Sequence, residues 1–223
     1  MTVLEPSGGS DPSALFCDYL DFYRQVVDRK LRSLSEAEQR TSRLPSGWTP
    51  LELLTHLVHM EQRWFVWGFA GEAVADPWGD NRDAAKNAAW AVAEGISLEE
   101  LLNRLHEGGR RTRAIIESHP LDAQAPPGPR FAGRSAEQTA SLAWICFHVL
   151  QEYARHTGHL DLAVELADGL QGGSDAAPDM RAPTVLGGTQ WAPAHGWSVR
   201  RRAPGWNGAW PGRAARSGGP APR

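Results

Sequence analysis

Glu152 and His156 stand four residues apart on a stretch whose other periodic positions are Ile145, Val149, Leu160 and Ala163. Four residues of α-helix amount to about 6 Å of rise and about 40° of rotation, so the two side chains converge on one point. A carboxylate on a core-facing track is costly unless it is paired or holds a cation. The pair is therefore half of a plausible metal site. His56 offers a third donor, because it lies three residues after Leu53 and four before Met60, on the apolar face of an earlier helix. Two imidazoles and one carboxylate, with a fourth position open, make the pattern of a catalytic zinc site rather than a structural one.

Other side chains compete for the same role. His148 lies four residues before Glu152 but eight before His156. That is about 12 Å of helix, so His148 and His156 cannot share one ion. The chelating pair is either 148/152 or 152/156. His159, three residues after His156, can replace Glu152 in an all-histidine set with His56 and His59, which are themselves three apart. The set His56, Glu152 and His156 is favoured. A reading without metal stays open, in which Glu152 pairs with Arg155 or Arg63. His106, His119 and His195 have no partner spacing and read as ordinary core or rim histidines. Asp161, five residues after His156, is badly angled to orient that ring and reads as part of a solvated face.

Four helices must position these residues. Asp11 followed by Pro12 is an N-cap with proline in the first turn, and Leu15 to Leu31 follow with helical periodicity. Thr49, Pro50 and Glu52 form a capping box that launches Leu53, Leu54, Leu57, Met60, Trp64 and Phe65. Ser97 and Glu100 form a second box, ahead of Leu101, Leu102, Leu105, Ile115 and Ile116. Gly108 and Gly109 interrupt this third helix and are expected to loosen it by about 2 kcal/mol relative to alanines. A third box, Ser135 to Gln138, is expected to open the fourth helix, which Gly169 is placed to end. No segment of useful length has a β-period. The expected fold is all-α, an up-down four-helix bundle over residues 11–170, with a long excursion at 72–96 and a second loop at 119–134.

Bulk composition agrees with one domain and a tail. Residues 171–223 hold 10 Gly and 7 Pro and carry a net charge of +5, against −8 for residues 1–170. Such a tail cannot sustain either structural period and is expected to be disordered, and residues 1–10 are expected to be a flexible N-terminus. Its four tryptophans among arginines offer an arm for acidic partners, but a dispensable extension is the simpler reading. The overall charge of −3 argues against a dedicated nucleic-acid binder. No apolar run is long enough to span a membrane, and the first residues do not have the pattern of a secretory signal. Cys17 and Cys146 read as reduced core thiols, which points to the cytoplasm.

Several strings carry a family resemblance: Leu44-Pro45-Ser46-Gly47, Leu54-Thr55-His56-Leu57 through Glu61-Gln62-Arg63-Trp64-Phe65, Ser141 through His148, Glu152-Tyr153-Ala154-Arg155-His156-Thr157-Gly158-His159-Leu160-Asp161, and Asp168-Gly169. Together they resemble the DinB-like four-helix metalloproteins, most closely the actinobacterial mini-circle branch of mycothiol-transferase-like proteins, over residues 12–170. The resemblance implies a divalent metal, commonly zinc or nickel, held at the positions of His56, Glu152 and His156. Many such proteins have histidine where Glu152 stands, and glutamate there is similar to the arrangement of mycothiol-dependent maleylpyruvate isomerases. His59, Gly108-Gly109 and the tail depart from the pattern. The implied chemistry is transfer of a low-molecular-weight thiol, mycothiol or similar, to a small-molecule electrophile, with the metal making the thiolate and His148, His159 or Arg155 as auxiliary residues that orient ligands or the anionic parts of a substrate. The rival readings are a metal-assisted hydrolase and a non-catalytic bundle that binds a metal or a metabolite. Monomer and homodimer are equally compatible with the pattern.

Overall fold

The structure, a computed structural model, describes residues 3–81 and 90–168. The expected tail, the cap at Gly169, His195 and the middle of the excursion lie outside the described residues. Helix α1 spans Pro12–Ser33, and the Asp11 side chain accepts from the Ser13 N–H as its cap. A single turn, α2, spans Glu36–Gln39. Helix α3 spans Pro50–Gln62 behind a complete Thr49/Glu52 capping box, and runs straight into π-helical turns over Arg63–Phe69. Helix α4 spans Leu98–Ser118 behind Ser97, and α5 spans Leu142–Asp168. The described residues contain no strand, only isolated bridges. The protein is an all-α helical bundle.

Helix α1 packs on α4 and α5, and α3 packs on the same two, so α3 and α5 are neighbours. This adjacency is what brings His56 near Glu152 and His156. The core between the helices is the one the apolar stripes forecast: Leu53, Leu54 and Leu57 of α3, Leu101, Leu102 and Leu105 of α4, and Leu142, Ile145, Val149 and Leu160 of α5 are all buried.

Two expectations need correction. The Ser135/Gln138 box is present but caps only a 3₁₀ turn at Ala136–Gln138, and α5 begins at Leu142. Between them the chain is extended. The Ala125 N–H donates to the Ala140 carbonyl at 2.9 Å, and the Thr139 hydroxyl to the Ala125 carbonyl at 2.6 Å. That pairing with the preceding loop outweighs local helix propensity. The second correction concerns α4, which is continuous through Gly108 and Gly109. Gly109 has a packing reason, since a Cβ there would lie 2.7 Å from the Arg24 Nε.

Candidate metal centre

His56, Glu152 and His156 each offer a donor atom, and these atoms all lie within 4.8 Å of one another. Among the described residues no other His, Cys, Asp or Glu cluster of three does this. The Glu152 Oε2 is 3.0 Å from the His156 Nε2 and 3.7 Å from the His56 Nε2. Their side chains are 12%, 18% and 7% exposed for His56, Glu152 and His156, so the cluster is mostly but not wholly withdrawn from water. The hydrogen bond from His156, with the His56 ring close by, holds the Glu152 carboxyl well below the usual carboxylate range, against its burial. Burial pulls the His156 pKa down, and the hydrogen bond with Glu152 only partly opposes it. At neutral pH the site therefore presents an ionised carboxylate and a neutral imidazole at His156, the forms that bind metal.

His56 Nε2, which faces Glu152, is buried without a hydrogen-bond partner, and so is His156 Nδ1, the ring nitrogen that does not bond Glu152. Buried polar atoms are normally satisfied, and an orphaned imidazole nitrogen at His56 beside the Glu152 anion fits a bound dication.

His56 is oriented from behind. Its Nδ1 lies 2.9 Å from the Asp80 Oδ2. Asp80 is 1% exposed, and both of its oxygens also accept from Arg63, one of them at 3.0 Å. Burial disfavours the Asp80 charge, but the hydrogen bonds from His56 and Arg63 prevail and its pKa falls. An anion behind a histidine donating from Nδ1 leaves Nε2 as the donor toward the site, the usual support for a metal-ligating imidazole. On the other side, the Trp90 ring stacks on His56 at 4.3 Å and meets His156 edge-on at 5.1 Å. Asp80 and Trp90 come from the excursion and are held together by a bridge between Asn81 and Trp90 and by the Ala91 N–H donating to the Asp80 carbonyl at 2.8 Å.

The structure sorts the other sequence candidates. Arg63 pairs with Asp80, not Glu152, and Arg155 is exposed. His59 turns to the excursion instead, its Nδ1 3.1 Å from the Asp76 carbonyl oxygen. Gly79 makes room for it, since a Cβ there would come within 2.5 Å of the His59 ring. His159 lies with its ring 5.7 Å from His156 and 5.9 Å from Trp48, beside the cluster rather than in it. His148 stacks on Trp144 at 5.1 Å and meets Trp64 at 4.5 Å, outside the three-residue group. His106 bonds Asp28 and His119 bonds the Ile115 carbonyl, both away from the donor cluster. Asp161 pairs with Lys30. Sequence reasoning missed Asp80, whose role depends on a chain reversal that no periodicity announces.

Fold and site together define a helical-bundle protein with a three-donor candidate metal centre between two adjacent helices. A family model described as mycothiol-S-transferase matches residues 15–169, which include every residue of the centre, and the chain belongs to that family. No curated protein matches the chain. No helix among the described residues is long and apolar enough to cross a membrane.

Proposed function

We propose that this protein joins a low-molecular-weight thiol of the mycothiol type to an electrophilic carbon, using a divalent cation held by His56, Glu152 and His156. The observation that carries the reading is the convergence of these three donors inside the segment that matches the family. Zinc suits two imidazoles and a carboxylate with an open position, and nickel accepts the same donors. When bound, the dication holds a coordinating thiol as its thiolate at neutral pH. Carbon–sulfur bond formation then expels a leaving group with its electron pair, and the thiol proton passes to solvent.

The chain's own residues divide the remaining work. Glu152, held strongly ionised, serves as a charge-neutralising ligand and is too weak a base to take the proton. Asp80 fixes the His56 ring, and Trp90 closes one side against water. His148, His159 and Arg155 remain auxiliary, around rather than within the donor set. The nucleophile comes from outside, because burial raises the Cys17 pKa to about 11 and the Cys146 pKa to about 12. Neither is a thiolate at neutral pH. A reduced, thiol-containing cytoplasm is the matching compartment.

The test is elemental analysis of the full chain together with conjugate formation from mycothiol and a generic electrophile. Stoichiometric metal and thiol-dependent conjugation are expected, with both lost in Glu152→Ala and His156→Ala. Full metal occupancy in Glu152→Ala, or turnover that does not need the thiol, overturns the reading.

A further inference from the structure

Arg130 is a cation with no counterion among the described residues. Its Nε is buried and has no hydrogen-bond partner. The guanidinium carbon sits 4.2 Å from the Trp64 ring centroid and 5.8 Å from that of Trp78. Arg63 lies over the same Trp78 ring at 4.7 Å, yet Arg63 is compensated by Asp80 and Arg130 is not. Burial, Arg63 and Arg134 all press the Arg130 pKa down. A partly desolvated guanidinium repelled by two others is an unfavourable thing to keep, unless an anion arrives to meet it.

Its surroundings point to where that anion sits. Trp64, on which Arg130 rests, is 4.5 Å from His148 and 5.3 Å from Trp144. His148 is one helical turn before Glu152 on α5, so along that helix the order is aromatic wall, then donor cluster. The wall is open, with Trp144 50% exposed and Trp78 44% exposed. The far side of the cluster is occupied by Trp90, Trp48 and His159. Trp144 and His148 stack on each other, so a flat molecule can lie only against an outer side of that pair, next to Trp64 and within reach of Arg130.

We propose that Arg130 reads a carboxylate on the electrophilic substrate, the planar part of which lies against the exposed side of the stacked Trp144/His148 pair. This rests on the transferase reading for the word substrate, but the binding site itself does not. A purely structural clamp of the 126–134 loop onto the π-helical turns would give Arg130 the same contact with Trp64, and would not discriminate between charged and neutral ligands.

The experiment is equilibrium binding of para-nitrobenzoate and para-nitrobenzamide to the metal-loaded full chain by titration calorimetry. The two have the same shape, differ in charge, and carry no leaving group. The benzoate is expected to bind about tenfold more tightly, the worth of a charge-assisted hydrogen bond. In Arg130→Gln the preference should fall below about twofold while the benzamide affinity stays in place. Arg130→Lys, which keeps the charge but loses the planar fork, should retain part of the preference and guards against misfolding of the first variant. Equal binding of both ligands, no binding of either, or a preference that survives in Arg130→Gln overturns the proposal, the last by placing the carboxylate on the metal. If the preference behaves as expected and no thiol conjugate forms with any electrophile, the transferase reading alone falls.

Discussion

Replacing Asp80 by asparagine keeps the shape of the residue and removes its charge, so it isolates what the anion behind His56 does. Two effects follow, and they separate. The first is on the metal. Loss of a carboxylate that orients a ligating histidine weakens metal affinity by about 10- to 100-fold, or about 1.4–2.8 kcal/mol. Asparagine can still accept from Nδ1 at the 2.9 Å seen for Asp80, which puts Asp80→Asn near the low end and Asp80→Ala near the high end. The second effect is on folding, because Arg63, 7% exposed, loses its counter-charge. Leaving one partner of a buried pair alone is worth on the order of 3–5 kcal/mol. The Pro77 carbonyl, which accepts from Arg63 at 3.1 Å, and the Trp78 ring over which it lies offset part of that. A chelator-competition titration reads the first effect, and urea unfolding of the metal-free protein reads the second. In the double variant Asp80→Asn, Arg63→Met the stability should recover while the metal affinity stays weak. Metal affinity in Asp80→Asn within about threefold of wild type would refute the orienting role. Recovery of affinity in the double variant would show that the loss came from the fold.

The two adjacent glycines of α4 should respond with opposite signs. Gly108→Ala places a Cβ in open space and should stabilise by about 1 kcal/mol, whereas Gly109→Ala drives a Cβ into the Arg24 guanidinium and should destabilise by more than that, both read as shifts in urea midpoint. Equal signs would refute the packing account of Gly109. The buried thiols set an alkaline limit. Their folded pKa values, about 11 for Cys17 and about 12 for Cys146, stand above the ordinary 9.0 because of burial, so the folded state keeps protons the unfolded chain gives up. Stability is therefore complete below pH 9 and should decline by on the order of a few kcal/mol toward pH 12. Tyr153, raised well above its ordinary 10.0 by burial, adds to this loss from about pH 10 upward. Unfolding midpoints across this range check it, and rapid labelling of either cysteine in the folded protein at pH 8 would contradict the burial.

What could be read in the sequence was local or strictly periodic. The caps at Asp11, Thr49 and Ser97 work because a side-chain oxygen and a nearby N–H are close in the chain, whatever the rest of the molecule does. The Glu152/His156 spacing works for the same reason, since an i,i+4 pair shares a face on any helix. Ser135 shows the limit. Its capping geometry formed as expected, but whether a helix continued was decided by pairing with residues 121–125. Asp80 and Trp90 were beyond reach for a related reason. They stand ten residues apart in a segment without period, and only a tertiary bridge sets one behind His56 and the other in front. The π-helical turns after Gln62 were not legible either, because Trp64 continues the α-helical spacing of Leu57 and Met60.

Glu61 explains how so small a site can be kept in register. It is buried, five residues beyond His56 on α3, and it accepts from Arg24 of α1, Thr112 of α4 and Tyr153 of α5. Four helices thus meet at one carboxylate. A buried ion pair of this kind is weak evidence for stability, because desolvation consumes much of the attraction, and its best-attested use is to select one packing arrangement. Here the selection has an object. The hydroxyl of Tyr153 donates to Glu61 at 2.5 Å, and Tyr153 is the residue next to Glu152. Sliding α5 against α3 by one turn, about 5.4 Å, would exceed the 4.8 Å that spans the three donors. An apolar interface between these helices could tolerate such a slip, since Leu, Ile and Val exchange neighbours at little expense. The Glu61–Tyr153 bond cannot, because the slip would strand a charge and a hydroxyl inside the core. The hub thereby sets the relative height of α3 and α5 on which convergence of His56 with Glu152 and His156 depends, without any of its members touching the site.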